Sequence, residues 1–385
     1  MRISDMANRI QPSLTRKLFD MAKKYDDVID FTLGDPDYET PDYIKKAGCN
    51  AIQGGKTKYS ANAGLQELRH VIAERIKEET NIIYEPENEI QITVGAMEGI
   101  YLSLCCLINP GDEVIIPSPY WVNYKHMTEM LNGCPVLVDA NEEHDFIVTS
   151  EAIEKAVTDK TRVIIINSPN NPTGAVYDGD TLEAISKIAI KKDITIIFDE
   201  CYKSILYDGA RFVSILDFPN MKEHSLIVNS CSKRYSMTGW RLGYLAGPKE
   251  FMQHLPKLQE NIAACAPLPS QYAAITAFSG DDTASDEMRS GYEQRRNVLV
   301  EGINAIDKLS CKYPKGTFYA MVNIKGTGMK SEEFAYALLE AVQVAVVPGI
   351  TYGEASEGYV RIAYTMSEEK IREGIRRIKK FVESL

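Results

Sequence analysis

Four short segments carry side chains that could do chemistry, and each adjoins an apolar run or glycines. The run Ile194–Phe198 ends in Asp199-Glu200-Cys201-Tyr202. The run Arg162–Asn167 ends in Ser168-Pro169-Asn170-Asn171-Pro172-Thr173-Gly174. Leu226–Val228 leads into Asn229-Ser230-Cys231-Ser232-Lys233. Met237-Thr238-Gly239-Trp240-Arg241-Leu242-Gly243-Tyr244 then sets a cation among apolar residues and glycines. Together these are an acid, an amide, a hydroxyl turn with an amine, and a guanidinium, the parts of a pocket for one small anionic ligand. Taken singly each has a plainer reading. An acid after a strand caps the next element, N-P-T-G is a turn in which Pro presets φ and Gly takes φ > 0, and a lysine beyond a strand is solvated.

The elements that must position these residues alternate between short apolar runs and helical patterns. Ile90–Val94, Glu113–Pro117, Pro135–Val138, Arg162–Asn167, Ile194–Phe198, Leu226–Val228 and Tyr244–Ala246 read as strands. Helical patterns run from Gly95 to Ile108, Trp121 to Leu131, Glu151 to Val157 and Thr181 to Lys191. Runs without polar alternation, spaced by helices, predict a parallel sheet covered on both faces. The fold class is α/β, a three-layer, mostly parallel sheet. Such sheets bind ligands at the carboxyl ends of their strands, and each of the four segments falls at a strand end or a turn.

After Phe278 the texture changes. Gly280–Ser285 is polar and acidic and reads as a boundary. Beyond it come a charged helix pattern, an alternating strand Thr317–Ile324, strands Val344–Val347 and Tyr359–Tyr364, and an amphipathic helix Glu368–Leu385. These predict a smaller α+β domain of about a hundred residues. The expected division is residues 1–45 as an N-terminal arm with part of the small domain, 46–283 as the large domain, and 284–385 as the small C-terminal domain.

Bulk composition fits this division. The 385 residues are 44% hydrophobic and 25% charged, with a net charge of −11. No block of like charge is present, so nucleic acid would be repelled on average. Eight cysteines lack any C-x-x-C pair, and several sit in apolar runs such as Leu104-Cys105-Cys106-Leu107, which predicts buried free thiols in a reducing compartment. The five histidines form no metal-ligand spacing, so no metal is expected. The N-terminus lacks the apolar stretch of a signal peptide, and no run is long enough to span a membrane. A cytoplasmic enzyme is the expectation.

The ordered set NNPTG, D-x-x-Y, S-x-S-K and GWRLGY, all between Asn170 and Tyr244 and extended by further matches over nearly the whole chain, resembles the class I and II aminotransferases. These are fold-type-I, aspartate aminotransferase-like enzymes of pyridoxal phosphate (PLP). The further matches include Gly34-Asp35-Pro36, Lys58-Tyr59, Pro110-Gly111-Asp112, Pro119-Tyr120-Trp121 and Val360-Arg361-Ile362. The resemblance implies that Lys233 carries PLP as a Schiff base, with an amine made nucleophilic by nearby cations. It then moves the proton between Cα and C4′. Asp199 would pair with the pyridine nitrogen, Asn171 and Tyr202 with the phenolic oxygen, and Trp121 would stack on the ring.

For the phosphate the resemblance implies Arg241, Ser230 and the backbone N–H groups of Ala96 and Met97 at a helix start. Tyr59 would reach the phosphate of a neighbouring subunit, which makes a homodimer with shared sites. Arg361 would clamp the substrate α-carboxylate, and the Gly34 backbone would close over it. Some relatives have Gly-Gly-Lys where this chain has Gly95-Ala96-Met97, and Tyr352 stands where many have Phe. Met97 therefore weakens the case for a strict dicarboxylate substrate.

Two other signals read as loops. Gly54-Gly55-Lys56-Thr57 lacks the earlier glycine of a P-loop, since Asn50 stands there, and Gly326-x-Gly328 lacks the third glycine of a dinucleotide fingerprint. The expected function is ping-pong transfer of an amino group between an L-amino acid (aspartate, alanine or aromatic) and a 2-oxo acid. A PLP-dependent C–S lyase is the alternative, because pocket details select which bond breaks. A ligand-sensing regulator on the same scaffold is disfavoured by the lack of a DNA-binding segment.

Overall fold

The computed structural model describes residues 2–10 and 14–385; Met1 and residues 11–13 of the N-terminal arm lie outside the described residues. After a short strand β1 (Ile29–Asp30), seven strands build the central sheet. They are β2 (Ile90–Thr93), β3 (Glu113–Ser118), β4 (Cys134–Asp139), β5 (Thr161–Asn167), β6 (Thr195–Asp199), β7 (Ser225–Ser230) and β8 (Gly243–Ala246). Their order is β2-β8-β7-β6-β5-β3-β4. All run parallel except β8, which is antiparallel to both neighbours. This is the α/β architecture expected from the apolar runs.

Side chains of a strand alternate between two faces, and here both faces are buried. Ile164, Ile166, Ile196, Phe198 and Ile227 enter one core. Their neighbours Val163, Ile165, Ile197, Leu226 and Val228 enter another on the opposite side. That two-sided burial is why the sequence shows continuous apolar runs rather than alternation. The exception is the edge strand β4, where Cys134 is exposed.

A second body follows, with its own core around Phe31, Phe318, Leu338 and Ile362. It contains β9 (Ser310–Cys311), β10 (Tyr319–Asn323), β11 (Val344–Ala345), β12 (Val347–Pro348) and β13 (Tyr359–Ala363). β12-β13-β10-β9 form one sheet, while β1 pairs with β11 in another. The single strand expected over Val344–Val347 is therefore two: at Val346 the chain passes from the β1 partner to the β13 partner. The alternation read in Thr317–Ile324 does not mean a half-exposed strand. Tyr319 to Val322 are all buried, because Ala320 and Val322 face the core while Met321 packs on Phe146 and Tyr359.

The polar stretch Gly280–Ser285 is no free linker. The helix Leu268–Ser279 ends just before it and the helix Thr283–Asn304 starts within it. Its Asp282 pairs with Arg75 and Arg234. All eight cysteines are unpaired, yet not all are buried as expected: Cys231 and Cys311 are, whereas Cys49 and Cys134 lie at the surface of a helix and the edge strand. Among the described residues no helix is long and apolar enough to cross a membrane.

Candidate active site

The carboxyl ends of β5, β6 and β7 lie side by side, and a cavity of about 600 Å³ opens over them. Gly34, Ala96, Met97, Trp121, Asn171, Asp199, Tyr202, Ser230, Lys233, Arg241 and Arg361 all line it. The volume falls in the ordinary range for a small-molecule site. Tyr59 is the one expected residue outside it; 86% exposed, it lines a separate surface hollow with Lys58 and Pro267.

Asp199 ends β6 in register with Asn167. Its Oδ2 accepts the Tyr124 hydroxyl at 2.7 Å and its Oδ1 accepts the Cys201 N–H at 3.0 Å. Burial pushes the carboxyl upward, and the hydrogen bonds from Tyr124 and Cys201 oppose that push. No cation pairs with it among the described residues. The buried acid thus lacks a counter-charge, an arrangement that calls for a positive group on the ligand.

Lys233 sits in a short helical turn, Cys231–Arg234, whose start is capped by Ser230: its Oγ accepts the Ser232 N–H at 3.4 Å. Lys233 Nζ donates to the Gly34 carbonyl at 2.8 Å and lies 5.4 Å from the centre of the Phe318 ring. The amine is pushed down to about 8. Burial is the main cause; Arg361 and Arg241 add to it, while Asp35 and Cys201 oppose it. The sequence reading assigned this depression to cations, and the structure makes them the lesser contributors.

Arg361 lies on β13 opposite Met321 of β10, 5% exposed. Nη2 donates to the Thr32 carbonyl at 2.6 Å and Nη1 to Asn171 Oδ1 at 3.2 Å, and Nε has no partner. The guanidinium stacks over Tyr319 (4.4 Å) and Tyr352 (5.1 Å). Among the described residues it meets no carboxylate, so a buried cation faces the cavity ready for a planar anion.

At the other end, the helix Gly95–Leu107 begins without a side-chain cap, which leaves the first backbone N–H groups free for an anion. Among the described residues Arg241 donates only to carbonyl oxygens, those of Thr238 (2.9 Å) and Val94 (3.5 Å). Gly95 has φ +76°, and a Cβ there would lie 2.5 Å from Arg241 Nη2. A Cβ on Gly243 would lie 2.6 Å from the Ala96 nitrogen. Two glycines therefore hold open a cradle with one guanidinium, the Ser230 hydroxyl and a helix start.

These features fit PLP on the chain's own geometry. A cradle for a dianion, an uncompensated acid for a ring nitrogen and a depressed lysine amine share one cavity. Trp121, just before the helix Asn123–Met130 rather than inside it as expected, meets Tyr124 of that helix edge-on at 5.3 Å, so this turn into the helix supplies both a ring wall and the Asp199 donor. Tyr124 was missed from sequence, although it follows Trp121 at the i,i+3 spacing that shares a face. Tyr319 was also missed. Its hydroxyl lies 3.1 Å from that of Tyr202 and 3.4 Å from the Gly34 carbonyl. Gly34 is more than a turn glycine: a Cβ there would sit 1.7 Å from the Tyr319 oxygen.

Comparison with known proteins agrees with this geometry. Residues 26–378 match the model of the family described as aminotransferase class I and II. Aromatic-amino-acid aminotransferase 2 of Thermococcus litoralis is 40% identical over 99% of this chain and 98% of its own. The aspartate aminotransferase of Pyrococcus abyssi is 40% identical with the same coverage. The crystal structure of the aspartate aminotransferase from Rhizobium meliloti superposes with a TM-score of 0.96 at 34% identity, covering 100% of this chain and 99% of that one.

Proposed function

The chain belongs to the class I and II aminotransferases, and from that premise we propose that the cavity over β5, β6 and β7 moves an amino group between an L-amino acid and a 2-oxo acid, with Lys233 as its working residue. The family uses PLP, which when bound supplies an electron sink and a carrier for the amino group. One observation carries the assignment of the residues: three charges without opposite partners among the described residues, Asp199, Arg241 and Arg361, surround one depressed lysine.

Each would do a separate task. Arg241, Ser230 and the Ala96 and Met97 N–H groups bind phosphate. Asp199, steadied by Tyr124, holds a proton on the ring nitrogen. Arg361 binds the α-carboxylate common to every amino acid, and Asn171 fixes the angle of its guanidinium through the 3.2 Å hydrogen bond. Lys233 Nζ, near neutral pH partly a free amine, accepts and returns a proton as general base and acid. Tyr202, whose hydroxyl burial holds in its protonated form, lies 3.1 Å from the Tyr319 hydroxyl at the cavity wall and would turn its proton to a bound ligand.

The donor reading stays aspartate, alanine or aromatic. The cavity's cations are Lys233, Arg241 and Arg361, so a second substrate carboxylate finds no further cation on this chain among the described residues. The relatives' names support both an aspartate and an aromatic donor. A cytoplasmic homodimer is part of the same proposal. Support comes from the eight unpaired cysteines and from Tyr59, which is exposed on its own chain and suited to a neighbour's site.

The test is one turnover. Cofactor-loaded protein mixed with a single amino acid and no acceptor should release one equivalent of 2-oxo acid per chain and then stop. Adding 2-oxoglutarate or pyruvate should restart it. Continuous release of pyruvate and ammonia from cysteine-type substrates without an acceptor would give the C–S lyase reading instead.

A further inference from the structure

Behind the cavity wall lies a second group of charges that neither binding nor proton transfer uses. Glu79, Glu200 and Asp282 meet Arg75, Lys203 and Arg234. Lys203 Nζ is 2.7 Å from Glu79 Oε2 and 2.5 Å from Glu200 Oε1, with side chains only 12% and 3% exposed for Lys203 and Glu200. Glu79 Oε1 accepts from Arg75 Nε at 3.1 Å and Arg234 Nη1 at 3.2 Å. Asp282 joins Arg234 to Arg75. Asn229 Nδ2 donates to Glu200 Oε1 at 3.1 Å. Three acids balance three cations.

The chain positions matter more than the count. Glu200 follows Asp199, Lys203 follows Tyr202, Asn229 precedes Ser230 and Arg234 follows Lys233. Adjacent residues of a strand point to opposite faces. A strand end that gives Asp199 or Ser230 to the cavity therefore gives Glu200 or Asn229 to the back. Cys201 and Ser230 line both the cavity and the small void among these charges, so they form the partition between the two.

We infer that this six-charge network is a positioning device for the cavity, with Lys203 linking the buried Glu200 to Glu79 and the rest of the network, locking the backbone that presents Asp199, Tyr202, Ser230 and Lys233. None of its members touches the reacting atoms. It reaches from the helix Gln66–Thr80 through β6 and β7 to Asp282, between the helices Leu268–Ser279 and Thr283–Asn304. The wall is therefore fixed from three separate chain segments. The inference rests on Lys233 as the working residue.

The experiment reads Lys233 itself. In cofactor-free protein, the pH dependence of Lys233 acylation is followed by peptide mass, in wild type, Lys203→Met and Glu79→Gln. The groups facing Lys233 are Asp35, Cys201, Arg361 and Arg241, and none is altered. Lys203→Met should let water reach the wall and raise the Lys233 midpoint by about one pH unit toward an ordinary lysine. In loaded enzyme, kcat should fall at least about tenfold (roughly one pH unit of misplaced amine) with the donor KM changed far less. Glu79→Gln, at the partly exposed edge, should shift both in the same direction by less, and it decides the matter if Lys203→Met does not fold. Folded variants with a wild-type acylation midpoint and wild-type kcat would overturn the inference. Labelling is read without cofactor, so a wild-type protein that transfers no amino group would sink the proposed function and leave this test standing.

Discussion

Lys233 Nζ donates to the carbonyl oxygen of Gly34 at 2.8 Å. This contact joins the turn after β7 to the segment after β1, and so ties the central-sheet body to the second body. It also holds the amine, part-buried, at the cavity wall beside the Tyr319 hydroxyl that shares the same carbonyl.

That position has a pH signature. Lys233 titrates at about 8 when folded, against 10.5 for an ordinary lysine. Between these values the unfolded chain binds one more proton than the folded one, so stability rises with pH across that window. Below about 8 the full cost of burying the amine is present. Lys233→Met in cofactor-free protein should therefore raise the melting temperature at pH 7, and the gain should shrink as pH approaches 10.5. A gain that grows with pH would contradict the assignment.

Arg361 is expected to serve every substrate equally. Arg361→Ala leaves the α-carboxylate without a partner, worth about 2–5 kcal/mol for a buried charge pair, or roughly thirtyfold to several thousandfold in kcat/KM. The loss should be similar for aspartate, alanine and phenylalanine. Arg361→Lys should recover little, because a point charge cannot make the bidentate contact. A loss confined to one donor would make Arg361 a side-chain selector.

Tyr124 lowers the pKa of Asp199 by donating to it, against burial that raises it. Tyr124→Phe removes the donor and should move the acid limb of the kcat/KM profile to higher pH. The alkaline limb should stay in place. An unmoved acid limb would mean that Asp199 does not set it.

The reading of the chain as sequence reached different depths at different places. The inner strands were legible because burial on both faces makes the runs 163–166, 196–198 and 226–228 continuously apolar. Asp199, Ser230 and Lys233 were legible because they sit at the ends of those strands. Tyr319 was not, since its strand lies in the second body and meets Gly34 only through the tertiary fold. Glu200, Lys203 and Arg234 were passed over for a related reason: their partners Glu79 and Asp282 are distant in sequence, and no spacing announces them. The polar stretch around Asp282 read as a boundary for the same reason, its charges being spent on Arg75 and Arg234 rather than on water.

Tyr59 tests the dimer. A chain carrying Lys233→Ala and a chain carrying Tyr59→Ala, each weak alone, should regain activity when mixed and reassembled. In the mixed dimer one site then has an intact Lys233 and an intact Tyr59 from its neighbour. Mixing without recovery, with dimers present by light scattering, would place Tyr59 outside the partner's site.

The central claim is that Lys233 carries the cofactor, and one measurement meets it directly. The loaded protein is reduced with borohydride, digested and mapped by mass. The account predicts a pyridoxyl phosphate increment on the peptide containing Lys233, lost in Lys233→Ala and accompanied by loss of the yellow absorbance. An increment on another lysine, or none in a protein that still transfers amino groups, would contradict it.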